Sequence, residues 1–174
     1  MNRHLEFAKN QKRSPDWGLI RILPERLRHG EDACKQNKAF VYNAYIQRDI
    51  QLHNPFPIDG GEGVCKSGRT SQHTEGYINH VKQVNITHVY DPQCPGPGRP
   101  VPTWEHAATS HNKVHFADEG DSGSFIYDWV GDVLGLVIGG SPYGSVTFTP
   151  MVDVLSDIKK VTGAEKVEIA YSLF

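Results

Sequence analysis

The apolar positions of this 174-residue chain fall in short alternating or near-continuous runs separated by Gly, Pro and Asn clusters. Residues 1–15 are polar and broken by Pro15, and the first strand-like run is Asp16-Trp17-Gly18-Leu19-Ile20-Arg21-Ile22-Leu23. Residues 24–37 lack alternation and read as a connection. From Lys38 the texture changes, and residues 38–46, 61–72 and 75–90 predict consecutive antiparallel strands. The segment 91–102 holds five prolines and two glycines, which predicts an exposed loop and no central strand. Further strands are expected at Lys113–Phe116, Ser124–Tyr127, Val133–Ile138 and Val146–Thr149, with Asp128–Asp132 as a hairpin connection. The one good helical pattern follows. Thr149 is placed to cap it, Pro150 to occupy its first position and Gly163 to end it, while Met151, Val154, Leu155, Ile158 and Val161 form one apolar face. Lys159 and Lys160 fall favourably in its last turn.

Seventeen glycines and eleven prolines agree with many short strands and tight turns, so the expected class is all-β. A formal net charge of -2 leaves no surplus for phosphate neutralisation, and nucleic acid is not expected as a partner. No apolar run approaches the roughly twenty residues of a membrane span, nor does the start carry a secretory h-region. The chain therefore reads as soluble, with no membrane partner and with an intracellular location favoured. Cys34, Cys65 and Cys94 form no Cys-x-x-Cys motif; three reduced thiols are expected, with one bridge plus a free thiol as the alternative. His106, His111 and His115 with Asp118 could be taken for a metal site, but they read as solvent-facing strand histidines; no metal or cofactor is expected. Lys66 and Arg69 are read as a solvated strand face.

The strongest chemical signal is Gly120-Asp121-Ser122-Gly123-Ser124 between two predicted strands. A serine nucleophile in acyl transfer needs an exposed hydroxyl on a tight turn, with backbone N–H groups aimed at the carbonyl oxygen that becomes an oxyanion. Glycines on both sides permit such a turn. The amides of Gly120 and Ser122 would form the hole, and the bare Gly120 would let a substrate carbonyl approach. A plain glycine-rich β-turn is the other reading of the same five residues.

The wider context bears on that choice. Residues 116–127, then Gly135-Leu-Val-Ile-Gly-Gly140, then Val146-Thr-Phe-Thr-Pro150 before a terminal helix, resemble the end of chymotrypsin-like serine proteases. They look most like the trypsin-like peptidase domains common in fungi, with bacterial and viral relatives. Val64-Cys-Lys-Ser-Gly-Arg-Thr-Ser71 with Thr74-Glu-Gly76 is similar to a strand pair of the same group, and Asp16-Trp-Gly-Leu-Ile20 resembles the strand carrying its catalytic aspartate. The resemblance implies a six-stranded antiparallel β-barrel with a C-terminal helix over residues 38–163, a remnant of a second barrel plus linker over 1–37, and a tail over 164–174. It implies Ser122 as nucleophile, Gly120 and Ser122 as oxyanion-hole amides, and Asp16 as the residue that holds a histidine in its working tautomer. Ile138, Gly139 and Gly140 would pair with extended substrate. Phe116 matches the pocket-floor position, where an aromatic argues against Lys or Arg specificity; a plain core aromatic is its other reading.

The departure from the family pattern is the catalytic histidine, which belongs to the first barrel, several tens of residues before the aspartate. Only fifteen residues precede Asp16; His4 stands too close to it, and His29, His53 and the later histidines stand in the wrong order. The chain is thus expected to be a serine endopeptidase domain, incomplete and inactive as given, acting on polypeptide and needing the first barrel in trans. The alternative is a pseudoprotease that binds peptides by strand addition along Gly139-Gly140.

Overall fold

The computed structural model describes residues 38–42, 47–53, 55–91, 94–112, 115–141 and 144–169. The strand at Asp16–Leu23, the remnant of a second barrel over 1–37, Cys34, and Lys113 and Val114 lie outside the described residues.

Nine strands and one helix follow in order: β1 (Lys38–Tyr42), β2 (Gln47–Gln51), β3 (Gly63–Gly68), β4 (Gln72–Ile78), β5 (Gln83–Asp91), β6 (Cys94–Ser110), β7 (Phe125–Tyr127), β8 (Val133–Gly140), β9 (Ser145–Pro150) and α1 (Met151–Thr162). β4, β3, β7, β8, β9 and β6 pair in that order, and β6 returns to β4, so six antiparallel strands close into a barrel. Closure leaves these strands no open edge where they pair. The barrel begins at Gly63 and not, as the sequence suggested, at residue 38, because β1 and β2 pair only with each other as a separate hairpin. The His53 amide donates to the Gly131 carbonyl at 2.7 Å, which ties the end of that hairpin to the barrel.

The alternation of each strand decides which of two cores a residue enters. Val64, Ile126 and Leu134 point into the barrel with Ile78, Phe116, Val137, Val146 and Phe148. Their neighbours Cys65, Tyr127 and Val133 point outward, where Leu52, Met151, Val154 and Ile169 cover them. Both faces of β3, β7 and β8 are buried, and their sequences accordingly read as near-continuous apolar runs.

Three expectations fail locally. The Pro-rich segment 91–102 is largely strand: Val84 to Val89 of β5 pair with Trp104 to Arg99 of β6. Among the described residues, the part of β6 upstream of Glu105 pairs with β5 alone, which leaves one side of the strand on which a missing N–H breaks no ladder bond. Likewise Thr149 does not cap α1. Pro150 is still paired in β9, opposite Gly135, and itself stands at the N-cap with φ -54° and ψ 136°. At the other end Gly163 is left-handed, φ 71°, and its amide returns to the Lys159 carbonyl at 3.0 Å. His115 and Phe116, expected at the end of a strand, lie in the irregular segment before β7.

Candidate active site

The Gly120–Ser124 turn lies in the connection between β6 and β7. Gly120 and Gly123 have φ of 98° and 83°, the left-handed region in which side chains are strained. A β-carbon on Gly120 would also come within 2.6 Å of the Arg69 guanidinium and 2.8 Å of the Thr70 hydroxyl, so glycine is required there twice over. Between the two glycines Asp121 is fully buried while Ser122 is exposed.

Asp121 is the anchor of the turn. Its carboxylate accepts from the Lys66 ammonium at 3.1 Å, the Ser71 hydroxyl at 2.6 Å, the Thr70 amide at 2.7 Å and the Asp118 amide at 3.1 Å. Burial alone would raise its pKa, but the bonds from Ser71, Thr70, Asp118 and Lys66 outweigh that effect and hold the carboxyl well below the usual carboxylate range. Lys66 is also fully buried, which corrects its reading as a solvated strand face. It shares the parity of Val64 on β3 and so points into the barrel, reaching the turn from inside; its ammonium donates further to the Ser71 hydroxyl at 2.5 Å and the Gln72 carbonyl at 3.2 Å.

The backbone around Ser122 is equally fixed. The amides of Asp121, Gly123 and Ser124 donate to the carbonyls of Asp118, Val137 and Asp121, at 3.0, 2.8 and 3.0 Å. The amides of Gly120 and Ser122 reach no acceptor among the described residues, which leaves two fixed donors on either side of Asp121. Beside them opens a cavity of about 440 Å³, whose lining includes Ser122, Gly120, His115, Asp118, Gly139 and Gly140. β7 begins at Phe125, opposite Leu136, and Val137 bonds Ser124, so among the described residues the rest of β8 pairs with β9 alone, and Gly139 and Gly140 on it line the cavity.

The structure thus brings together Ser122, Gly120, Gly139 and Gly140. Ile138, the residue before Gly139 on β8, is not among the residues that line the cavity, whereas Val137 is. Phe116 is not on the cavity wall: it is fully buried in the barrel core, its carbonyl accepting from the Thr74 hydroxyl at 2.6 Å. Its ring lies so close to Gly76 that a β-carbon there would stand 2.9 Å from it. Asp16 lies outside the described residues. The three histidines once grouped together separate in space: His106 lies against Phe148, His111 against Tyr77, and the His115 ring nitrogen Nδ1 is 3.0 Å from the Asp118 carboxylate. The sequence reading missed Lys66 as the partner of Asp121, although its parity with Val64 was there to be read.

A closed six-stranded antiparallel barrel with a terminal helix and an exposed serine on a glycine-flanked turn defines the chymotrypsin-like class of serine protease folds. The sequence model of peptidase family S64 matches residues 29–167, and the chain belongs to that family. No curated relative matches the chain by sequence. Among solved structures it is similar to a glutamic acid specific serine protease described as using a histidine triad in substrate binding, at 20% identity and a TM-score of 0.50, covering 75% of this chain and 62% of that one. It is also similar to protease A of Thermobifida fusca, at 21% identity and a TM-score of 0.49, over 71% of this chain and 58% of that one. A third similar structure is the chymotrypsin of Cellulomonas bogoriensis, at 21% identity and a TM-score of 0.48, over 76% and 62% respectively. The chain thus spans about three fifths of the first of these. Among the described residues no helix is long and apolar enough to cross a membrane.

Proposed function

We propose that this chain is the nucleophile-bearing barrel of a serine endopeptidase that cleaves polypeptides through an acyl-enzyme. Ser122 attacks the scissile carbonyl, and the amides of Gly120 and Ser122 hold the oxyanion. The free edge of β8 at Ile138, Gly139 and Gly140 pairs with extended substrate, and the cavity takes the side chain of the acyl-side residue. Phe116 acts from the core, setting the turn from below. No cofactor enters. The observation that carries this reading is the pair of amides, unengaged among the described residues, that flank a buried Asp121 held by several hydrogen bonds, with Ser122 exposed beside them.

Among the described residues no hydrogen bond joins the Ser122 hydroxyl to a histidine, so the described barrel alone holds an unactivated alcohol. Loss of a triad base removes several orders of magnitude of rate. Asp16 is assigned to hold the histidine that the first barrel supplies, in trans where necessary. The same observation favours a second reading, a peptide-binding pseudoprotease that uses the β8 edge without chemistry.

The test is labelling of the chain with a fluorophosphonate, followed by peptide mapping. Slow labelling at Ser122 that Ser122→Ala abolishes is the expected result, together with negligible hydrolysis of peptide esters. Rapid labelling would show that a base is present and overturn the claim of inactivity. Absence of any label at Ser122, with label at other hydroxyls, would overturn the nucleophile itself.

A further inference from the structure

We propose that the cavity beside Ser122 selects a cationic side chain, lysine or arginine, and that His115 and Asp118 make the selection. This rests on the reading of Ser122 as nucleophile and of the cavity as the seat of the acyl-side residue.

The aromatic that argued against a basic residue, Phe116, is absent from the cavity wall, being buried in the barrel core. The wall carries His115 and Asp118 instead, joined at 3.0 Å between Nδ1 and Oδ1, with side chains 63% and 43% exposed and therefore within reach of a ligand. The hydrogen bond between His115 Nδ1 and the Asp118 carboxylate holds that carboxylate in place on the wall. Asp118 keeps its second oxygen, and Glu119 adds a carboxylate from the same segment. Gly139 and Gly140, which also line the cavity, have no side chain to supply a countercharge. Arg69 packs against Gly120 but does not line the cavity.

The residues lining the cavity thus include the acidic Asp118 and Glu119 and no lysine or arginine. A glutamate side chain would face like charge. An aromatic side chain would desolvate the acceptors and offer no donor in return. An ammonium or guanidinium group brings only donors, several of them charge-assisted, and matches the set. The volume of about 440 Å³ leaves room for a long side chain.

Benzamidine, benzamide and benzoate are near-isosteric probes carrying positive, zero and negative charge. Titrated into the full chain and followed by amide resonances, benzamidine should move Gly139, Gly140 and Ser141 saturably, with an affinity about tenfold or more above that of benzamide. Benzoate should move none of them. Asp118→Asn should lower benzamidine affinity by about tenfold and His115→Phe by several-fold, while the rest of the spectrum stays unchanged. Asp118→Glu should recover part of the loss. Equal binding of benzamidine and benzamide, or undiminished binding by Asp118→Asn, overturns the selectivity. An uncharged peptide serves as the control for the underlying reading. If it moves Gly139, Gly140 and Ser122 while benzamidine has no advantage, the nucleophile and its edge stand and only the cation preference falls. If no probe moves the cavity amides and Ser122 takes no phosphonate, both fall.

Discussion

Lys66→Met removes one charge from a pair enclosed at the end of the barrel, where both side chains are fully buried and 3.1 Å apart. Breaking a buried pair by deleting one partner costs about 3–5 kcal/mol, because the other charge stays behind uncompensated. Asp121 would keep its bonds from Ser71, Thr70 and Asp118, so the expected loss lies near the lower end, about 3 kcal/mol. Asp121→Ala is worse, near 5 kcal/mol, since it strands the Lys66 ammonium together with the Thr70 and Asp118 amides. The double variant Lys66→Met with Asp121→Ala leaves neither charge of the pair and should be less destabilised than the two losses summed by at least about 2 kcal/mol. Urea unfolding measures all three. With a slope of about 1–3 kcal/mol per molar, Lys66→Met should lower the midpoint by about 1–3 M. The acid limb supplies a second readout. Because the folded carboxyl is held below its unfolded value, its contribution is complete above about pH 4 and is lost as pH falls through the folded pKa. Asp121→Asn should therefore flatten stability against pH in that acid range. Additivity of the two single variants within about 0.5 kcal/mol would refute the coupling.

Three further outcomes are expected. Burial chiefly raises the Glu62 carboxyl, opposed by a hydrogen bond from the Asp59 backbone and assisted by Asp128, Asp59 and Asp132. Its ionisation thus opposes folding once pH passes its unfolded value, and Glu62→Gln should raise the melting temperature near neutral pH with a gain that vanishes below about pH 4. Burial pushes the Cys65 thiol up to about 12, so iodoacetamide should leave it intact in the native chain at neutral pH and alkylate it fully in urea. Gly76→Ala would drive a methyl group into the Thr109 carbonyl and the Phe116 ring, and should cost about 1–3 kcal/mol by chemical denaturation.

The strands that line the barrel were legible because both of their faces are buried, so Val64-Cys65, Ile126-Tyr127 and Val133-Leu134 read as apolar runs whichever core each residue enters. The helix was legible from its period and from Gly163, but its start was not: Pro150 satisfies the ladder opposite Gly135 and the cap at once, a tertiary fact. Residues 91–102 misled because proline content speaks against a strand paired on both sides and says little about one paired on a single side. At the site, the glycine-flanked turn around Ser122 was legible from its composition, while its reading as a nucleophile turn came from the wider resemblance. The exchange of Phe116 for His115 and Asp118 on the cavity wall was not, because the residues sit in an irregular segment with no period to say which side chain turns inward.

The central claim is that Ser122 and the amides of Gly120 and Ser122 form one device for holding a tetrahedral, negatively charged centre. A peptide boronic acid ending in alanine, added at mildly alkaline pH, forms such a centre on a serine without needing a histidine in the chain. The amide proton resonances of Gly120 and Ser122 should then move downfield together, as expected for donors engaged by an oxyanion, and should stay in place in Ser122→Ala. An adduct on Ser122 that leaves both resonances unmoved would contradict the claim.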